Sequence, residues 1–292
     1  MPEWKKTNSL FLQEWWWKAV CPEESFRLLE AGKGSFWPMA KIRRLGVFHV
    51  YAMPSLTQHA GPYLPEREDF MNLLERIPDS WQLHLNVGFK LDAGEILAAE
   101  KRGLRVKERH SQRIEDLSDL ERVFAAFKPA RQRQIRKAER LLSVRQDDDI
   151  EQLIRLQAET FRRQGKRSPY PPRTVRRLYE AVMRHDAGRL ITLVDASGTV
   201  MACGLFVHDD TTCYSLTHGF HKTSHDTGAG SLLQWEGIRL AASRKLVFDF
   251  EGSDIESIKR FNLSFGAITG TYSKIERATT FFRFLERLRA IF

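Results

Sequence analysis

The sequence predicts an α/β protein with a mixed sheet, in which two stretches share one order of elements. In the second stretch, a strand over 211–218 leads through a loop with two glycines at 227–231 into an apolar helix over 232–242, and a buried-strand pattern follows over 245–250. The first stretch has the same order of hairpin, third strand, loop, helix, strand, helix and strand. We therefore expect a duplication at the level of structure.

The first half begins with an amphipathic helix and then alternates strands and helices. Its predicted elements are a helix over 9–21, a hairpin over 26–30 and 36–42, a third strand over 47–52, a helix over 66–77, a strand over 81–86, a helix over 93–102 and a strand over 104–109.

A basic helix joins the two halves. The predicted elements from there on are the helices 129–141, 149–163 and 172–185, a hairpin over 190–195 and 200–207, then strand, helix, strand, helix and strand through Lys274, and a final amphipathic helix over 279–292. The final helix has enough apolar surface to cover the first half.

Composition predicts a soluble, globular protein of the cytoplasm. The chain has 292 residues, 42% of them hydrophobic, and its early apolar run over 11–20 is interrupted by charges and too short to span a bilayer. Cys21, Cys203 and Cys213 have no metal-ligand spacing and are expected to be buried thiols.

The net charge of +9 is concentrated in two clusters. They are Arg131, Arg133, Arg136, Lys137 and Arg140 in the joining helix, and Arg162, Arg163, Lys166, Arg167, Arg173, Arg176 and Arg177 further along. On the helix the charges are expected to project outward as one stripe, and such clusters attract phosphates unless they are only solvated faces.

The loop before the helix 232–242 is the predicted anion site. Gly228, Ala229, Gly230 and Ser231 precede the helix, where glycines let a ligand approach the backbone and the first amides have no partners. A pyrophosphate suits this place, with His225 as a further phosphate contact. The alternative is a plain helix start that binds nothing.

Glu251 at the end of the predicted strand is our candidate for a general base. Asp249 either contacts the substrate or caps nearby amides. Tyr214 and His218 are placed on one face of their strand, where one of them acts as an acid or contacts the acceptor; a packed tyrosine and a surface histidine are the alternative. No metal is expected, because the histidines at 218, 221 and 225 have no zinc spacing.

The element order resembles the GNAT acyltransferase fold, and the duplication resembles its FemAB-like branch, whose members add amino acids to peptidoglycan precursors. The residues that carry the resemblance are Phe248-Asp249-Phe250-Glu251-Gly252-Ser253, Arg260-Phe261, Phe265-Gly266 and the loop Pro54-Ser55-Leu56-Thr57-Gln58. It implies two tandem GNAT-like acyltransferase domains facing a shared cleft. The halves are residues 1–128, completed by the helix 279–292, and residues 129–278, which carry the donor site.

Two positions depart from the family pattern. His225 stands where the acetyl-CoA signature of GNAT enzymes has Arg or Gln, and Asn262, which we place in the donor site, stands where FemAB-type enzymes typically have Lys. Gln58 and Arg163 are assigned to the acceptor side.

The function that the resemblance implies is transfer of an acetyl group from acetyl-CoA to a small-molecule or peptide amine, in a bacterial-type cytoplasmic protein. Two alternatives remain open. One is a FemAB-like aminoacyltransferase that uses charged tRNA and acts on a cell-envelope precursor, and the other is a binding module without catalysis. The sequence does not predict the acceptor or the oligomeric state.

Overall fold

The computed structural model describes residues 7–21, 25–44, 48–58, 60–146, 149–252 and 255–279. They form two compact units. Unit 1 holds residue 7 and the described residues of 11–109 and 271–279, and unit 2 holds residues 8–10 and the described residues of 110–270. The sequence-based division instead lies between 128 and 129 and assigns 271–278 to the second half.

Unit 1 alternates short strands and helices. Its elements are α1 (Glu14–Val20), β1 (Phe26–Glu30), β2 (Phe36–Arg44), β3 (Phe48–Ala52), α2 (Asp69–Arg76), β4 (Gln82–Asn86), α3 (Ala93–Lys101) and the first part of β5 (Arg105–Ile114). The pairs β1/β2 and β2/β3 are antiparallel, whereas β3 and β4 are parallel. This is the order predicted for the first half.

Unit 2 repeats that pattern on a larger scale. Its elements are α4 (Leu120–Ala125), α5 (Pro129–Leu141), β6 (Leu142–Gln146), α6 (Ile150–Arg163), α7 (Pro172–Arg184), β7 (Gly188–Asp195), β8 (Val200–His208), β9 (Thr212–Phe220), α8 (Ser224–Thr227), α9 (Ala229–Ser243), β10 (Val247–Asp249) and α10 (Glu256–Leu263). Strands β6 to β9 pair in antiparallel order, and β10 lies parallel to β9.

Each unit is completed by a strand from the far end of the other half. In unit 1, residues 274–277 of β11 (Ile268–Arg277) pair in antiparallel order with β4. In unit 2, Arg113 and Ile114 at the end of β5 pair with β10. The two halves have therefore exchanged their last strands, which explains why 271–279 belongs to unit 1.

The core of unit 2 forms around α9, whose sequence is apolar nearly all round. Leu232, Leu233 and Ile238 are fully buried there with Phe206 and Phe248 from the strands. A helix that is apolar on most sides is expected to be covered on most sides. It lies against α5 as well as the sheet, so the beginning of α9 is held between the basic helix and the strands.

Several predicted boundaries shift. The strand expected over 245–250 is shortened to Val247–Asp249, and the helix expected from 232 begins at Ala229. All three cysteines are buried, as predicted. In the described part of the chain, no helix combines the length and apolarity needed to cross a membrane. Residues 280–292, which hold nearly all of the predicted final helix, lie outside the described residues.

Candidate functional site

The candidate site lies where the parallel strands β9 and β10 stop pairing and diverge. The two strands pair in parallel only where Val247–Asp249 face 212–214, and β9 then continues to Phe220. Beyond Tyr214, no described residue of β10 pairs with β9. In open α/β sheets, ligands bind at the carboxyl ends of the strands, and the end of β10 falls at this divergence.

A β-bulge at Leu216 reorients β9 at the same place. Leu205 faces Thr217 and Phe206 faces Ser215, so Leu216 is an extra residue in the strand. A bulge shifts the alternation of side chains by one position. Tyr214 and His218 therefore lie on opposite faces of β9, and the expectation that they share one face is wrong.

His218 is packed under the sheet on the α9 side. Its Nε2 lies 2.9 Å from Ser215 Oγ and 3.3 Å from Gln234 Nε2. Burial lowers the pKa of His218 to about 4, so the imidazole is neutral at pH 7. This environment provides an uncharged hydrogen-bonding group.

The hydroxyl of Tyr214 points back toward the beginning of its strand. It donates to Asp209 Oδ2 at 3.3 Å, in the turn that precedes β9. Burial raises the pKa of Tyr214 well above its usual value, and the charges of Asp209 and Asp249 add to this. The phenol is held protonated at that end of the strand.

Glu251 follows the end of β10 in an unusual backbone conformation. Its φ is 61°, in the left-handed region that non-glycine residues rarely adopt, and its side chain is 3% exposed. Burial raises the pKa of the Glu251 carboxyl well above its usual value, and the charge of Asp249 raises it further. Strained backbone and a perturbed carboxyl together are typical of functional sites.

Asp249 fixes the backbone of Glu251. Its Oδ1 accepts a hydrogen bond of 2.7 Å from the Glu251 N–H and another from the Ser111 hydroxyl on β5. Asp249 itself is 4% exposed. The structure thus gives it the contacts of a cap, which is one of the two roles that the sequence left open.

Tyr170 approaches the same carboxyl from the loop between α6 and α7. Burial raises the pKa of its phenol first, and the charge of Glu251 raises it as well, so the two groups are within electrostatic reach. The ring also packs edge-on against Phe161 at 6.2 Å. Sequence reasoning missed Tyr170; its only signal is the rigid Tyr-Pro-Pro run that precedes α7.

The glycine loop at the start of α9 combines a left-handed turn with an open helix end. Gly228 has φ 78°, and a Cβ there would lie 2.6 Å from the Gln134 carbonyl oxygen. At Gly230 a Cβ would meet only the Phe220 ring, at an ordinary 3.5 Å. Ala229 and Ser231 are buried beside them. His225 lies in the short helix α8 with its side chain 94% exposed.

Arg131 turns inward toward this loop, which corrects the expectation of an outward stripe. Its Nε donates to Ser264 Oγ at 2.9 Å, and its Nη1 donates to Gln134 Oε1 at 2.6 Å and to Ser231 Oγ. The guanidinium also stacks on the Phe261 ring at 4.2 Å. The other four basic residues of the cluster, Arg133, Arg136, Lys137 and Arg140, are exposed.

Asn262 is buried in the contact between α10 and β5. Its Nδ2 donates to Gln112 Oε1 at 3.2 Å, and the Gln112 carbonyl accepts the Phe250 N–H at 2.9 Å. The chain therefore places Asn262 beside the end of β10, one residue from Phe261, whose ring touches Arg131.

The remaining predicted residues lie apart from the carboxylates. Arg163 is exposed, and its Nη2 donates to the Phe220 carbonyl at 2.7 Å, at the end of β9. Gln58 belongs to unit 1, where its carbonyl accepts a hydrogen bond from Asn86 Nδ2. Among the described residues, no group of three or more His, Cys, Asp or Glu side chains forms a metal site.

Within unit 2 the site thus combines two regions with different chemistry. One is a buried carboxyl, Glu251, whose pKa is raised by burial and by the charge of Asp249, and which Asp249 fixes at its backbone N–H and Tyr170 approaches. The other is a helix end with glycines and a guanidinium, which favours an anion.

Comparison with known proteins agrees with this arrangement. Residues 129–260 match the family described as acetyltransferase (GNAT) domain. No curated protein matches the chain by sequence.

Three solved structures show the same architecture. FemX aligns with a TM-score of 0.65 at 10% identity, over 88% of this chain and 90% of that one. The C-terminal domain of a putative lysylphosphatidylglycerol synthetase from Agrobacterium fabrum aligns with a TM-score of 0.60 at 10% identity, over 94% and 89%. A tandem GNAT protein from the clavulanic acid biosynthesis pathway aligns with 0.52 at 12% identity, over 91% and 87%.

These likenesses cover nearly the whole chain, whereas the family match covers the part that carries β9, α9 and β10. The predicted resemblance is therefore confirmed: the chain has the acyltransferase fold of the GNAT superfamily in its tandem, FemAB-like form.

Proposed function

We propose that this protein is an N-acyltransferase that moves an acetyl group from acetyl-CoA to an amine acceptor. The observation that carries the proposal is Glu251: a buried carboxyl with a raised pKa, held in a left-handed conformation at the point where β9 and β10 part. A raised pKa makes a carboxylate a stronger base toward the amine proton, and perturbed carboxyls with a strained backbone cluster at functional sites.

In the proposed reaction the amine nitrogen attacks the thioester carbon and the C–N bond forms. Glu251 takes the proton that the nitrogen loses, and the C–S bond breaks to release the CoA thiolate, which receives this proton from Glu251 and becomes the thiol. The phenol of Tyr170 is protonated at neutral pH and lies within reach of the charge on Glu251, so it contacts the acceptor. Tyr214 is less suited to this role, because its hydroxyl is bound to Asp209.

The donor occupies the start of α9 in this proposal. Amides at a helix start and the helix dipole stabilise a pyrophosphate, and Gly230 leaves room for it. Gly228, Ala229 and Ser231 shape the turn, and Asn262 lies further along the donor's path toward the carboxyl. Arg163 and Gln58 remain assigned to the acceptor side as predictions.

A charged-tRNA donor is the second candidate, favoured by the likeness to FemX and to the lysylphosphatidylglycerol synthetase domain. The exposed arginines of α5 test it. Reversal of Arg133 and Arg136 to Glu should leave acetyl-CoA binding nearly unchanged, and gel shifts of the wild type with tRNA should show only weak, salt-labile association. Tight tRNA binding at physiological salt that the double variant loses would put the tRNA donor first.

Calorimetry with acetyl-CoA distinguishes the three hypotheses, which are an acetyl-CoA enzyme, a charged-tRNA enzyme and a binding module without catalysis. A saturable heat with the wild-type protein, together with acetyl transfer to a panel of amines, supports the proposal. Binding without transfer to any amine would indicate the non-catalytic module. Absence of binding would reject the CoA donor.

A further inference from the structure

Arg131, next to the proposed donor site, is a partly buried cation whose partners in the described residues are uncharged. The guanidinium of Arg131 bonds to two hydroxyls and one amide oxygen, and it stacks on the rings of Phe261 and Phe265 at 4.2 and 5.0 Å. No carboxylate pairs with it in the described part of the chain, in contrast to Arg239 on α9, which binds both Glu139 and Glu236. Burying a cation without an anion costs free energy.

The free-energy cost of burying the Arg131 guanidinium is reflected in its pKa. Burial lowers the pKa of Arg131 to about 10. Its hydrogen-bond partners among the described residues are all neutral, so they hold the guanidinium in place without neutralising it. An anion bound beside Arg131 would replace the favourable interaction with water that burial takes from the charged guanidinium.

The groups around Arg131 converge on the start of α9. Its Nη1 is bonded to Ser231 Oγ, in the first turn of that helix. The N–H groups of Ala229 and Gly230 donate to no acceptor among the described residues. The Ser231 hydroxyl itself donates to Gln134 Oε1 at 2.9 Å. A guanidinium and two open amides thus lie at one helix end, and all three favour an anion.

The two glycines of the loop differ in what requires them. Gly228 is required by the protein itself, because of its left-handed φ and its contact with Gln134. At Gly230 neither the backbone nor the packing requires a glycine. Its φ is ordinary for a helix, and a Cβ there would have normal contact distances. At Gly230 no side chain therefore covers the surface of the helix. The next residue is Ser231, whose hydroxyl contacts Arg131.

The position where related enzymes have Arg or Gln contributes little here. The side chain of His225 is 94% exposed, and its Nδ1 lies 4.0 Å from Asp226 Oδ1 in the same short helix. Its imidazole is thus free to move in solvent, whereas the guanidinium of Arg131 is fixed by three hydrogen bonds.

We propose that Arg131, reaching from α5, is the basic residue that binds the donor's phosphate at the start of α9, in place of the side chain at position 225. This inference rests on the proposed acyl-CoA donor and names the residue that recognises its phosphates. Arg131 is a binding residue in this scheme and takes no part in proton transfer.

The test compares a donor with and without its phosphates. Calorimetry with CoA and with pantetheine, which has the thiol arm alone, is carried out on the wild type and on Arg131→Gln, Arg131→Lys, Arg133→Gln and His225→Ala. Arg133 is the matched control, since it lies on the same helix and is exposed. We expect Arg131→Gln to weaken CoA binding by about 10- to 100-fold, the size of one charged hydrogen bond, and to leave pantetheine binding unchanged.

The other variants complete the pattern. Arg131→Lys should keep part of the affinity because it keeps the charge, and Arg133→Gln and His225→Ala should bind CoA within about 3-fold of the wild type. Equal losses for CoA and pantetheine in Arg131→Gln would assign Arg131 to structure and overturn the inference. Unchanged CoA affinity in that variant would overturn it while leaving the proposed function intact. A wild type that binds no CoA would reject both.

Discussion

Asp249 Oδ1 accepts the backbone N–H of Glu251 at 2.7 Å, and the charge of the same aspartate raises the pKa of the Glu251 carboxyl. One residue therefore fixes the position of its neighbour and also tunes its proton affinity. The Ser111 hydroxyl donates to the same carboxyl group and helps to hold it in place.

Replacement of Glu251 by Gln should lower the turnover of acetyl transfer by about a hundredfold or more, because a general base typically contributes 10²–10⁴ to the rate. Gln has nearly the same shape, so the affinity for acetyl-CoA should be kept. Steady-state kinetics and calorimetry measure the two quantities. A variant with full activity would return Glu251 to a structural role.

Replacement of Asp249 by Asn should shift the pH dependence of the reaction. The charge of Asp249 raises the pKa of Glu251, so its removal lowers that pKa. A base must be ionised to act, and activity therefore rises as the pH increases through its pKa. In Asp249→Asn this rise should move to lower pH.

The control for Asp249→Asn is Ser111→Ala, which removes a hydrogen bond to Asp249 and keeps its charge. Its pH profile should move less than that of Asp249→Asn. A profile of kcat/KM against pH that is the same in the wild type and in Asp249→Asn would rule out Glu251 as the titrating base.

Substitutions at the two glycines of the α9 loop should have opposite consequences. Gly230→Glu should abolish CoA binding in a folded protein, since it places a bulky anion at the open helix end. Gly228→Ala should destabilise the protein, because its φ of 78° and the 2.6 Å approach to Gln134 leave no room for a methyl group. Thermal melting and calorimetry separate the effects, and normal CoA affinity in folded Gly230→Glu would reject this donor site.

The stability of the protein should fall as the pH decreases from about 6.5 toward 4. The native pKa of His218 is lowered to about 4 from the usual 6.5, so in this window the unfolded chain binds a proton that the native state excludes, and the native state loses stability. Above pH 6.5 the contribution is complete. His218→Gln should show a smaller loss across the window in chemical denaturation, and an identical loss would show that His218 is not responsible.

Most elements of unit 2 were predictable because each depends on a local pattern, but α4, β6 and α8 were not predicted. Helix α5 agrees with its predicted bounds at both ends, and the loop at Gly228 follows from glycines before an apolar run. The left-handed conformation of Glu251 was not predictable, since it depends on a buried cap at Asp249.

Other features of the site depend on contacts between distant segments. The bulge at Leu216 has no local signature, because one extra residue in a strand leaves a run of the same composition. The inward turn of Arg131 depends on Ser231 and Ser264, each about a hundred residues or more along the chain. Helix periodicity assigns all five basic residues to the surface and does not distinguish the one that finds partners.

Because the two halves exchange their last strands, neither half forms a complete sheet as a separate fragment. β10 is covered on its β5 side by residues that precede residue 129, and β4 is covered by residues that follow residue 270. A gene fragment that ends or begins near the middle would encode a half with an open strand edge, which favours association with other chains. Each half therefore depends on a strand from the other half to complete its sheet.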